Sequence, residues 1–127
     1  MRKFLPIIFL FISLGLLSSA CGNGLATGPN TTFGAVTGTA TVDGVKLDQG
    51  FSSIDSPLNH NARIKPDVLN ATKCFLETNG SAPEEIDIQK GKDVSSKVPI
   101  RNHYVLKCTN PNGSHVTCGF DINFVNK

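Results

Sequence analysis

The stretch "HYVLKCTNPNGSHVTCGF", His103 to Phe120, decides how this chain folds. Asn110-Pro111-Asn112-Gly113 has the chemistry of a type I turn with proline at its second position. Gly113 is free to take the left-handed conformation of a following bulge. The resulting hairpin pairs Thr109 with His115, Cys108 with Val116, Leu106 with Cys118 and Tyr104 with Phe120. One face then carries Tyr104, Leu106, Cys108, Val116, Cys118 and Phe120. The other carries His103, Lys107, Thr109, His115, Thr117 and Asp121, with Val105 its only apolar member. A slip of one residue would scramble this segregation, so burial selects the register.

In that register Cys108 and Cys118 are diagonal neighbours, with Cα atoms about 7–8 Å apart. Disulfides usually need about 4.4–6.8 Å, so these two cysteines are expected not to bond to each other. Cys108 points into the core, where a cysteine from a facing sheet could meet it, and Cys74 is the candidate.

Working outward, "VTGTATVDGVKLD" is a second hairpin. Asp43-Gly44 suits a two-residue type I′ turn, which needs positive φ at both positions. Val42 then faces Val45 and Ala40 faces Leu47. These four and Val36 share one side, opposite Thr37, Thr39, Thr41, Lys46 and Asp48. Residues 49–61, punctuated by Gly50, Pro57 and four Asn/Asp/His positions, read as a loop. "ARIKPDV" reads as a strand that Pro66 confines to a sheet edge. "NATKCFLET" reads as another strand. A helix over 66–77 competes there, because Val68, Leu69, Thr72 and Phe75/Leu76 have roughly helical spacing. "EIDIQ" and "VSSKVPI" are further short runs. Six or seven short strands between turn signals predict an all-β sandwich.

The hairpin and its surroundings resemble bacterial immunoglobulin-like domains. The resemblance rests on "ATKCFLETNG", "IDIQKGKDVSSKVPI" and "HYVLKCTNPNG", residues 70–113, with Tyr104, Leu106, Cys108, Asn110 and Gly113 matching position by position. It implies a small immunoglobulin-like antiparallel β-sandwich of about seven strands, with a Cys74–Cys108 disulfide bridging its two sheets. The usual tryptophan is missing, since the chain has no Trp. Such a sandwich hosts many roles, so the resemblance implies no activity.

The N-terminus "MRKFLPIIFLFISLGLLSSAC" has a basic start, Arg2 and Lys3, then an apolar run from Leu5 to Leu17. That is shorter than the roughly 20 residues that span a bilayer, and it reads as a signal peptide over residues 1–20. "LLSSAC" resembles the lipobox of bacterial lipoproteins, which makes Cys21 a lipidation candidate. Ser18 and Ala20 equally fit ordinary signal cleavage. Residues 21–34, "CGNGLATGPNTTFG", read as a flexible Gly-rich tether, and residues 35–127 as the sandwich domain. Export places the cysteines in an oxidising compartment. If Cys21 is lipidated, Cys118 is left as a free thiol. If it is not, Cys21–Cys118 completes a second disulfide.

Of the 12 Lys+Arg, Arg2 and Lys3 belong to the signal segment, which leaves 10 against 10 Asp+Glu. A neutral domain with no basic cluster gives no support for nucleic-acid binding. The histidines, His60, His103 and His115, do not converge. His103 and His115 share a face but stand about 20 Å apart along a strand, so no metal or cofactor is expected. Glu84 and Glu85 are adjacent and would point to opposite faces of a strand, which does not make an acid/base pair. No serine or cysteine sits in a nucleophile motif. Asn30, Asn70, Asn79 and Asn112 each begin an N-x-[ST] sequon, relevant in a eukaryote, with Asn112 at a hairpin tip the most accessible. The sequence therefore predicts an exported, non-enzymatic binding or structural protein with an unknown protein partner. Its expected setting is the bacterial outer membrane or cell surface, held to the membrane only through a lipid on Cys21. The alternatives are a secreted, disulfide-stabilised effector acting on a host target, or an inhibitor or immunity protein.

Overall fold

The computed structural model describes residues 21–24, 34–47 and 53–126, so the signal segment and Asn30 lie outside the described residues. The described chain is all-β, a small sandwich of two sheets. Its strands are β1 (Cys21–Gly24), β2 (Thr37–Val42), β3 (Val45–Lys46), β4 (Ser53–Pro57), β5 (Ala62–Leu69), β6 (Lys73–Thr78), β7 (Glu84–Ile86), β8 (Lys92–Val94), β9 (Ile100–Thr109) and β10 (His115–Val125). The larger sheet runs β1-β10-β9-β6-β7, with β4 also paired to β10, and the smaller runs β3-β2-β5-β8.

The β9–β10 hairpin has the register expected from its turn: Thr109 opposite His115, Cys108 opposite Val116, Leu106 opposite Cys118 and Tyr104 opposite Phe120. Gly113 has φ 86°, and the Asn110 amide bonds the Ser114 carbonyl at 3.1 Å. All six residues assigned to the inner face are buried. The Tyr104 and Phe120 rings stack at 5.7 Å. Ile122 and Phe124 extend the same inner face, and Val36, Ala40, Val42, Leu47, Ala62 and Ile64 supply the other side of the core. Burying a side chain of this size contributes on the order of 2 kcal/mol.

The Asp43-Gly44 hairpin also forms as expected, with Val42 opposite Val45 and positive φ at both turn residues. Val45 departs from its expected burial: β3 is a two-residue edge strand, and Val45 stays exposed. The stretch from Lys73 to Thr78 is a strand, not part of a helix.

Pro66 sits opposite Ala40 in a strand paired on both sides, so the edge expectation is corrected in part. The Asp43 amide bonds the Arg63 carbonyl. Alternation along an antiparallel ladder then makes Ala40–Pro66 a non-hydrogen-bonded pair, and the proline nitrogen faces away from β2. On that far side β8 reaches only from Ala62 to Ile64, so Pro66 interrupts no bond.

Three further expectations are corrected. Residues 49–61 are not wholly a loop: β4 runs parallel to β10 from Ser53 to Pro57. "VSSKVPI" is not one run, because β8 ends at Val94 and β9 begins at Ile100. The tether does not begin at Cys21, because Cys21–Gly24 pairs with Cys118–His115. β1 and β4 thus line up end to end along one edge of the long strand β10.

Candidate functional site

All four cysteines are bonded. Cys74 joins Cys108, and Cys21 joins Cys118. Cys74 lies directly opposite Cys108 on the neighbouring strand β6. The pairing implied by the resemblance is present, but its expected position is corrected: it joins adjacent strands of one sheet instead of bridging two. Cys21 likewise lies directly opposite Cys118. A sulfur held in a disulfide has no bond left for a lipid thioether, so in this structure Cys21 takes the second of its two expected fates and Cys118 is not a free thiol.

The outward face of the larger sheet is built by residues that alternate with the core set. From β6 come Lys73, Phe75 and Glu77, and from β9 come His103, Val105, Lys107 and Thr109. Phe75 is opposite Lys107, and Glu77 is opposite Val105. Phe75, Glu77, Pro83, Val105, Lys107 and Thr109 line an open groove of about 470 Å³. Pro83 contributes from the connection before β7. On the β10 side, Val105 is opposite Gly119, where an added Cβ would touch only the His103 ring, at 3.8 Å. The missing side chain leaves Val105 uncovered on that flank.

Further along the same face the surface turns polar. His103 Nδ1 lies 2.7 Å from Asp121 Oδ1. Arg101 Nε donates to Asn123 Oδ1 at 2.6 Å, and Asn123 Nδ2 donates to Ser53 Oγ and Asp55 Oδ1. Asn123 therefore ties β4 to β9 across β10. Among the described residues no hydroxyl or thiol hydrogen-bonds the His103 ring. On the smaller sheet, a smaller depression of about 350 Å³ lies among Asp43, Arg63, Lys65 and Asp67. Three of its four charged residues have partners: Arg63 pairs with Asp93 at 2.8 Å, Asp67 with Lys46 at 3.6 Å, and Asp43 Oδ2 lies 3.0 Å from His60 Nε2. The Arg63 hydrogen bond holds the Asp93 carboxyl below its usual range.

The remaining sequence candidates are scattered. His115 Nδ1 faces the Gly113 carbonyl. Glu84 pairs with Lys92, and Glu85 is exposed beside it. Among the described residues no three His, Cys, Asp or Glu side chains gather as a metal site. Asn70 and Asn79 are exposed, but the accessibility expected of Asn112 is corrected: it is buried, at 8% exposure. The reason lies beside it. Asn110, also buried, donates from Nδ2 to the Gly34 carbonyl at 2.9 Å and the Asn70 carbonyl at 3.2 Å. Its Oδ1 accepts the Asn112 amide, and Ser114 Oγ accepts the Val36 amide. The hairpin tip is a packed junction between three chain segments.

Sequence reasoning missed the groove. Its one signal was Val105, the apolar residue on an otherwise polar face; Phe75 joins it through the pairing of β6 with β9, and Pro83 through the pairing of β7 with β6. No known protein family matches the chain, and comparisons with curated proteins and with solved structures give no match either.

Proposed function

We propose that this chain is an exported, disulfide-stapled binding domain that works through protein–protein contacts and not through catalysis. The observation that carries this reading is the Cys21–Cys118 bond. It occupies the sulfur a lipid would need, and it suits an oxidising compartment. It favours the secreted form of the protein over the lipid-anchored form. An open, partly apolar groove on a rigid sheet supports contact with a partner. The two-sheet architecture and the Tyr104 to Gly113 hairpin support an immunoglobulin-like reading, in which the in-sheet position of Cys74–Cys108 is a departure from the usual inter-sheet bridge.

Intact-mass analysis and non-reducing peptide mapping of the protein from its own host test the reading. The expected result is an N-terminal Cys21 peptide bonded to the Cys118 peptide. A diacylglyceryl increment on Cys21 would overturn the secreted form and restore the lipoprotein.

A further inference from the structure

We infer that the groove on the larger sheet is the contact face of a two-fold dimer of this chain. The inference rests on the reading of the domain as a contact protein and names the partner. Phe75 and Val105 occupy one diagonal of a four-residue block, and Lys107 and Glu77 occupy the other. Lys107 and Glu77 form no ion pair among the described residues, so both charges are available to a partner. This block at the centre of the groove thus presents two apolar side chains flanked by one unpaired charge of each sign.

That arrangement is self-complementary. Place a second copy face to face, with the two-fold axis along the Phe75–Val105 diagonal. Phe75 then meets the second copy's Phe75, and Val105 meets its Val105. The operation exchanges the other two corners, so each Lys107 lies over the second copy's Glu77. With strand residues about 6.7 Å apart along a face and strands about 4.8 Å apart, the mismatch is about 3 Å, well within reach of a lysine side chain. The strands of the two copies would cross at roughly 70°, near the orthogonal class of sheet packing. A two-fold contact of this kind is isologous and closes on itself. Gly119, which leaves the flank of Val105 open, gives the second copy room to approach. A contact centred on four residues is small beside a standard interface, so the expected dimer is weak, with a dissociation constant on the order of 10 µM to 1 mM.

Sedimentation velocity on the exported chain with both disulfides formed reads the dimer directly. Wild type should shift from monomer to dimer over that concentration range. Glu77→Lys and Lys107→Glu should each weaken association at least about tenfold, because each sets like charges against each other twice. The double swap should restore it to within about threefold. Lys65→Glu, on the other sheet, should leave it unchanged and controls for net charge. A photo-crosslinking residue at Thr109, used in the native host, separates the remaining outcomes. Crosslinks between copies support the dimer. Crosslinks to a different protein overturn the dimer and keep the contact-protein reading. A chain that stays monomeric and crosslinks to nothing overturns both. Association that ignores the charge swaps also overturns this face as the dimer contact.

Discussion

Cys108 and Cys118 lie one diagonal step apart on the inner face of the same hairpin, yet each bonds away from the other. Cys108 joins Cys74 on β6, and Cys118 joins Cys21 on β1. The two bridges therefore stitch four successive strands, β1-β10-β9-β6, along one buried face. Each bonded pair is directly opposite in its ladder, where Cα atoms come closest.

Removing the Cys74–Cys108 bridge with a double alanine variant should lower stability by about 3–4 kcal/mol, from the loop its 34-residue separation closes. Removing Cys21–Cys118 should also raise hydrogen exchange at the His115 and Thr117 amides, which face β1, because β1 is only four residues long. Urea midpoints and exchange rates check both. A loss below about 1 kcal/mol for the first variant would contradict the chain-entropy account.

Asn110→Ala should cost about 2–4 kcal/mol. It removes three hydrogen bonds and leaves the Gly34 and Asn70 carbonyls short of a donor beside a buried turn. Asn110→Asp should be worse, because a carboxylate would face those two carbonyl oxygens. Equilibrium denaturation ranks them, and the reverse order would sink the donor argument.

Gly38 has φ 128°, and a Cβ there would overlap the Asp67 carbonyl on β5. Gly38→Ala should destabilise by roughly 2–3 kcal/mol through strain in both backbone and contact. Gly44→Ala, where the added Cβ meets open space, should cost less. Thermal unfolding of the two variants, side by side, decides it.

Stability should fall in acid partly through Asp87 and Asp93. The backbone amides of Lys90 and Gln89 lower the Asp87 pKa, and Arg63 lowers that of Asp93. A folded-state pKa below the unfolded one gives stability that is present above about pH 4 and lost as pH falls through the folded value. Asp87→Asn should flatten the acid limb. At the alkaline end, burial raises the Tyr104 pKa. Its contribution should hold below about pH 10 and fade as pH rises through the folded value. Denaturant midpoints across the pH range test both limbs.

The sequence by itself determined the local geometry of this protein. The turn residues Asn110 to Gly113 and Asp43-Gly44 set two registers, because turn type and strand alternation are short-range and leave a single consistent pairing. That was enough to place the β9–β10 inner face and to keep Cys108 from Cys118. Which strands lie beside the hairpin was not legible, because alternation says which face a residue takes and nothing about its neighbour across the ladder. β4 escaped notice because Ser53–Pro57 has little apolar alternation, and its parallel pairing with β10 comes from residues some 70 positions away. Only the tertiary structure put Cys74 on the strand next to Cys108 instead of on a facing sheet, and decided for Cys21 between its two expected fates. It also buried Asn112 and assembled Phe75, Pro83 and Val105 into one groove. Each of these depends on long-range strand order, which is decided by the packing of the whole core.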